Sequence, residues 1–243
     1  MSRFVFRLTT SVSSFVLLFF VSSLSADTIT PLRYPPGLER GDQYRLFFAT
    51  SAGRDASSPD VEVYNDFVQS VADVAPIVGE WDIDWNAVIS TSEVDARDNT
   101  GTNDDVDPVG VPIYLLDGSQ FARTNLDLWN EATDINLTIA HTELGTILPV
   151  VPDGPDLMDG VVEVWTGTNA NGVAFVPAGQ SLVRYGAAST TGSTQFSFNS
   201  TLPILERPLY AMSEVLTVPE PRFGWRLWPP LLIVLLKTRQ SVV

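Results

Sequence analysis

The polar loop between residues 95 and 107 carries the oxygen-bearing side chains best suited to chemistry in this chain. Carboxylates of this kind suit Ca²⁺, which takes six to eight oxygen ligands, backbone carbonyls among them. The spacing lacks the EF-hand pattern, with its glycine and final bidentate glutamate in register, so a solvated acidic loop is the alternative interpretation. We predict no cofactor other than this candidate Ca²⁺. Its ligands would be Asp95, Asp98, Asp104, Asp105 and Asp107.

His141 is the only histidine, and it lies beside Glu143 in AHTELG. A histidine can act as a general base or as a metal ligand. Nothing completes a catalytic set here, because the chain has no cysteine, no second histidine and no GxSxG around a serine. We therefore predict a structural histidine, no catalytic residue and no enzymatic activity. A hydrolase of envelope polysaccharide is the alternative, and its paired carboxylates are defined by a separation in space that sequence does not supply.

Four tryptophans could form a surface on which sugar rings stack. Tryptophan more often fills the core, where its large apolar area is buried and its N–H finds a partner. We predict core positions for Trp129 and Trp165. The four candidates are Trp81, Trp85, Trp129 and Trp165.

Composition narrows the classes of partner. The chain has 243 residues, 44% of them hydrophobic, which suits one domain with a sizeable core. Residues 27–217 carry 28 acidic side chains against eight arginines and no lysine, a formal charge of −20. Because binding to nucleic-acid phosphates needs a basic surface, we expect no nucleic-acid partner. Acidity that keeps an exported protein dissolved is the simplest explanation.

Hydrophobic patterning places these residues on short elements. YRLFFAT, from Tyr44 to Thr50, has the density of a buried strand. The next segment predicts an amphipathic helix with Ser58 as N-cap and Pro59 in its first turn, ending before Pro76. Further strands are predicted within WNAVISTS, VPIYLLDG, VVEVWTGT, SLVRYG, TQFSFNST and LYAMSEVLTV, with a helical turn in LDLWNEATD. We therefore predict one α+β domain with mostly antiparallel short strands and one clear helix.

The two ends carry targeting patterns. Residues 1–26 combine Arg3 and Arg7 with a short apolar run and small residues, which is typical of a cleavable signal peptide. Residues 218–243 contain an apolar stretch followed by Lys237 and Arg239. By the positive-inside rule both ends stay cytoplasmic and the acidic domain, residues 27–217, is exported.

The tail resembles the PEP-CTERM sorting signal of exported proteins in exopolysaccharide-producing Gram-negative bacteria. The likeness rests on VPEP, the apolar segment and the basic patch, about a tenth of the chain. It implies a precursor held in the inner membrane until a membrane-embedded exosortase processes it near the motif. The residues concerned are Pro219, Glu220, Pro221, Lys237 and Arg239. Arg222, Arg226 and the Pro229-Pro230 pair depart from the pattern, so a retained single-span anchor is the alternative.

The middle of the chain resembles a second group. Its segments WNAVISTSEVDAR and VWTGTNANG look like bacterial endostatin-like domains, which have the C-type-lectin-like fold. The Glu-Pro-Asn or Gln-Pro-Asp signature of sugar-binding lectins does not occur, so sugar binding does not follow from the likeness.

Together these observations predict an exported structural or adhesive protein of the cell surface or exopolysaccharide matrix. The expected partners are an exosortase-type enzyme, the inner membrane and a polysaccharide. The alternative is a calcium-dependent carbohydrate-binding module.

Overall fold

The computed structural model describes residues 28–130, 137–139, 141–148 and 161–220. These residues form one α+β domain in which most strand pairs are antiparallel, as the sequence predicts. The proposed signal peptide, the Asp- and Gly-rich segment from Pro152 to Gly160 and the tail from Pro221 onward lie outside the described residues. Among the residues that are described, no helix is long and apolar enough to cross a membrane.

The described strands form a larger and a smaller sheet. The strands are β1 Gln43–Ala49, β2 Trp85–Ala87, β3 Ile113–Leu115, β4 Gln120–Ala122, β5 Glu163–Trp165, β6 Val183–Ala187, β7 Asn199–Thr201, β8 Tyr210–Ser213 and β9 Leu216–Thr217. In the larger sheet the order is β2-β8-β1-β3-β4, and β9 also pairs with β1. β1 runs parallel to β3 and antiparallel to β8 and β9, so the last two described strands pair with the first. The smaller sheet has the order β5-β6-β7.

β1 is apolar along most of its length because both of its faces are covered. Tyr44, Leu46 and Phe48 point into a cluster under the long helix. Phe47 and Ala49 point to the opposite face, where the Phe47 ring packs against that of Tyr210 with centroids 5.4 Å apart. A strand buried on both faces is the environment that a continuous apolar run predicts.

The described helices are α1 Glu62–Val74, α2 Ala96–Asn99 and α3 Asn125–Trp129, with 3₁₀ turns at Val78–Trp81 and Gly192–Gln195. The predicted end of α1 before Pro76 is confirmed, but the predicted Ser58 cap is wrong. Ser58 Oγ accepts the N–H of Asp60 at 3.1 Å, and Asp60 Oδ1 accepts the N–H of Glu62 at 3.1 Å. These two side-chain turns satisfy the donors that a cap would serve, so α1 starts later than predicted.

A buried asparagine ties α1 to the sheet. Asn65 Oδ1 accepts the N–H of Ala87 in β2 at 3.0 Å and the side-chain amide of Asn99 at 2.8 Å. The same Asn99 amide also donates to the Ala87 carbonyl at 2.7 Å. α1, β2 and the start of the acidic loop are therefore held by one polar network.

All four candidate tryptophans are buried. Trp129 and Trp165 are 1% and 0% exposed, which confirms their predicted core positions. Trp81 and Trp85 are also buried, at 9% and 3%. The alternative of a sugar-stacking surface made from these four rings is therefore wrong, because none presents a face to solvent.

Candidate functional site

A cavity of about 410 Å³ opens beside β5, at the junction of the smaller sheet with the chain that leads into β8. This volume lies within the range of pockets that hold small molecules. Its walls are mostly apolar, and its polar groups come from two acidic residues, one arginine and one serine. Residues 149–160, which lie outside the described residues, connect two of the lining residues in sequence. The lining residues are Ser51, Gly53, Leu148, Val161, Val162, Glu163, Leu205, Glu206, Arg207 and Pro208.

Pro208 explains why the chain separates from β5 at this point. The N–H of Trp165 donates to the Pro208 carbonyl at 3.0 Å in a single parallel bridge. The next bond of a parallel ladder would run from the N–H of residue 208 to the Glu163 carbonyl, and proline has no N–H to donate. Pairing therefore stops after one bridge, and the two segments diverge around the cavity.

The cavity floor is a buried ion pair between Arg207 and Glu163. Their side chains are only 7% and 10% exposed. The Arg207 guanidinium lies over the rings of Trp165 and Tyr185, with centroid distances of 4.9 and 4.4 Å. Burial lowers the pKa of Arg207 to about 10, so the side chain still carries its charge at neutral pH. Its Nε is buried and has no hydrogen-bond partner among the described residues.

The backbone of Arg207 is fixed by a close approach to Gly53. Arg54 and Arg207 exchange two backbone hydrogen bonds of 3.0 Å each. A Cβ at position 53 would lie 3.0 Å from both the N and the carbonyl C of Arg207, which is too close for an ordinary contact. Glycine at position 53 therefore lets the two segments meet, and the meeting holds the arginine at the cavity.

Glu143 supports the cavity wall from behind. It is 2% exposed and accepts hydrogen bonds from the backbone N–H of Ser51, at 2.9 Å, and from the Ser51 hydroxyl. Burial raises the pKa of the Glu143 carboxyl, and the bonds from Ser51 oppose that rise. Ser51 lines the cavity and Glu143 does not. Its neighbour His141 contributes backbone structure, because its carbonyl accepts the N–H of Ala49 at 3.2 Å.

We predict that the unfolding free energy of Glu143→Gln, measured relative to that of the native chain, increases as pH rises. A carboxyl whose folded pKa is raised takes up protons on folding, so its contribution to stability falls as pH rises from its unfolded value of about 4.3 through the folded value. Glutamine keeps an acceptor oxygen for Ser51 but does not ionise, so its contribution to stability does not fall as pH rises. Urea unfolding between pH 4 and pH 8 measures the difference.

The control is Glu93→Gln, which makes the same substitution at an exposed position. Any effect of the Glu-to-Gln change that does not come from burial should appear in both variants. A Glu143→Gln difference that is constant with pH would contradict the prediction.

The acidic loop is organised around Arg97. The Arg97 guanidinium forms ion pairs with Asp104 at 3.2 Å and Asp105 at 2.7 Å. Asp95 and Asp107 accept backbone hydrogen bonds, the first from Ala174 at 2.7 Å. The loop therefore supplies its own counter-charge, a role of Arg97 that the sequence analysis missed. Arg97 is the only cation between residues 95 and 107, and that was the available signal.

Among the described residues, no group of three or more acidic, histidine or cysteine side chains is placed to hold a metal ion. The proposed Ca²⁺ ligands Asp95, Asp98, Asp104, Asp105 and Asp107 lie along one loop, but their oxygens bind protein groups. Asp98 accepts the side-chain amide of Asn103 at 2.5 Å. A calcium ion bound by Asp104 and Asp105 would have to compete with the guanidinium of Arg97.

Calcium binding stays a prediction, with a direct test. Ca²⁺ should raise the melting temperature of the full chain, and Asp104→Asn combined with Asp105→Asn should abolish that rise. The pair Asp66→Asn and Asp73→Asn removes the same charge from the exposed side of α1 and serves as the control. A melting temperature of the native chain that Ca²⁺ leaves unchanged would contradict calcium binding.

The start of the tail lies at the edge of the larger sheet. Among the described residues, Val218 is the last that the larger sheet holds by backbone hydrogen bonds, since its N–H donates to the Asp42 carbonyl at 2.9 Å and its carbonyl accepts the N–H of Gly41 at 3.0 Å. Pro219 and Glu220 follow and are exposed. Pro221, Lys237 and Arg239 lie outside the described residues. The Pro-Glu-Pro motif therefore begins one residue after Val218, with which the described hydrogen bonds of the sheet end.

A scan against protein-family models found no match, and a search of curated proteins found none either. The structure brings Ser51, Glu163 and Arg207 together at one cavity, which the sequence analysis did not foresee.

Proposed function

We propose that this chain is an exported protein of the cell surface or exopolysaccharide matrix, delivered by processing of its PEP-CTERM-like tail. Its acidic domain then has a structural or adhesive role. The precursor crosses the inner membrane on its signal peptide, stays there by its apolar tail, and is released by an exosortase-type enzyme.

The observation that carries this proposal is the position of Pro219 and Glu220. Processing requires a recognition motif that an enzyme can reach while the domain stays folded. Both residues are exposed and follow Val218, the last described residue with backbone hydrogen bonds to the sheet. A cut near the motif would leave the described strands and helices whole.

The charge of the domain supports the same location. Residues 27–217 carry a formal charge of −20, and no lysine stands among them. A strongly acidic domain stays soluble outside the cell and is repelled by the phosphates of nucleic acid. We also propose a C-type-lectin-like fold, in line with the resemblance of WNAVISTSEVDAR and VWTGTNANG, and the α+β architecture of short strands and long loops supports it.

The test is the intact mass and the membrane partition of the full chain expressed in a host with the sorting system. A host that lacks the exosortase provides the comparison. Loss of the tail near Pro221 is expected only in the competent host. Glu220→Ala should block that loss, while Glu93→Ala, which removes another exposed acid, should not.

A tail retained in both hosts would overturn the sorting proposal. The product would then keep residues 222–243 and stay in the membrane fraction, as the single-span alternative predicts.

A further inference from the structure

The geometry points to a binding site for a neutral sugar unit in the cavity above the Arg207–Glu163 pair, formed without a metal ion. This inference goes beyond the sorting role and does not depend on the tail. It rests on three features of the cavity: its polar floor, its apolar walls and the sign of its charge.

The floor offers both kinds of hydrogen-bonding group at one place. Arg207 has more donors than its ion pair with Glu163 uses, and its Nε lacks a partner among the described residues. A buried polar group without a partner is costly and is rare in folded proteins. The carboxylates of Glu163 and Glu206 accept hydrogen bonds. A hydroxyl group both accepts and donates, so adjacent hydroxyls match a guanidinium placed beside a carboxylate.

The walls suit the other part of a sugar. Leu148, Val161, Val162, Leu205 and Pro208 surround the floor with aliphatic surface. The C–H groups of a pyranose ring make such contacts, whereas its hydroxyls do not. A ligand with no apolar face would leave these walls uncovered, and one with no hydroxyls would leave the floor unsatisfied.

Charge decides between a neutral and an acidic ligand. Arg207 is the only cationic residue that lines the cavity among the described residues, and its charge is already balanced by Glu163. Glu206 adds a negative charge at the exposed rim. The surrounding domain is strongly acidic as well. An anionic sugar would meet net repulsion, so a neutral sugar is the favoured class.

The packing behind the floor keeps these groups in place. The Arg207 guanidinium is held against Trp165 and Tyr185, and the indole N–H of Trp165 donates to the carbonyls of Arg54 and Leu205, both at 3.1 Å. Leu205 itself lines the cavity. Because the same indole fixes the floor and one wall, these groups lose little conformational entropy when a ligand binds. A small entropy loss favours affinity.

The test measures binding of glucose, galactose, mannose and cellobiose to the full chain by calorimetry in EDTA, with glucuronic acid as the charged comparison. Leu205→Trp should fill the cavity and weaken binding at least about tenfold, because the ligand loses its wall. Leu202→Trp places the same bulk on the same connection at a position that does not line the cavity, and it should change affinity by less than about twofold. Both leucines are partly exposed, at 42% and 54%, so neither change disturbs the core.

Binding of at least one neutral sugar in EDTA, lost in Leu205→Trp and kept in Leu202→Trp, supports the inference. Absence of binding by all the neutral sugars overturns it, as does equal binding by both variants. Binding that needs Ca²⁺ or that prefers glucuronic acid also overturns it. None of these results depends on the exosortase, so a failure of the sorting proposal stays distinguishable.

Discussion

Replacing Arg207 with methionine should destabilise the domain by about 3–5 kcal/mol, one of the largest effects expected of a single substitution here. The change leaves the Glu163 carboxylate in a position where its side chain is only 10% exposed, without the cation that balances it. Removing one partner of a buried ion pair costs more than the pair itself contributes, because the remaining charge stays desolvated. Urea unfolding of the full chain at pH 7 measures the loss.

A double variant separates this cause from simple loss of packing. Arg207→Met combined with Glu163→Met removes both charges and keeps apolar volume over the rings of Trp165 and Tyr185. Its stability should return to within about 1 kcal/mol of the native chain. The single variant should also recover part of its loss in acid, where Glu163 can take up a proton. A double variant as unstable as the single one would contradict the electrostatic explanation.

The local elements of the fold could be predicted because their sequence pattern and their environment agree. β1 is apolar along most of its length, and it is buried on both faces. The end of α1 follows from Pro76, which disfavours helical geometry in the residue before it. The start of α1 was missed because Ser58 and Asp60 each bind a backbone N–H two residues ahead. Propensity alone does not distinguish a cap from such a turn.

The cavity could not be predicted because its parts are distant in the chain. Glu163 ends up beside Arg207 only through one bridge between Trp165 and the residues that follow Arg207. Gly53 is an unremarkable glycine in the sequence, yet the backbone of Arg207 approaches it closely. Neither of these two contacts produces a recognisable pattern in the sequence around its residues. The acidic loop shows the opposite case, since its residue types were identified and only the partners of its carboxylates were missed.

Changing Gly186 to alanine should destabilise the domain by about 3 kcal/mol or more, and the reason is purely steric. Gly186 lies within β6, where the backbone of the 3₁₀ turn Gly192–Gln195 crosses the strand. A Cβ here would overlap the carbonyl oxygen of Gln195 and lie 2.6 Å from its carbonyl carbon. These are backbone atoms, so no side-chain rotation relieves the contact.

The turn has little freedom to move away, which is why the expected loss is large. Gln195 is fully buried, its side-chain amide donates to Leu137 and Thr190 at 2.6 and 2.9 Å, and its carbonyl accepts the hydroxyl of Tyr210 at 3.1 Å. The control is Gly37→Ala, where a Cβ meets nothing within 4 Å and the φ of +88° alone opposes the change. That strain should cost about 1–2 kcal/mol. Equal losses for the two variants in urea unfolding would mean that the turn yields, and that its contact with β6 does not fix the smaller sheet.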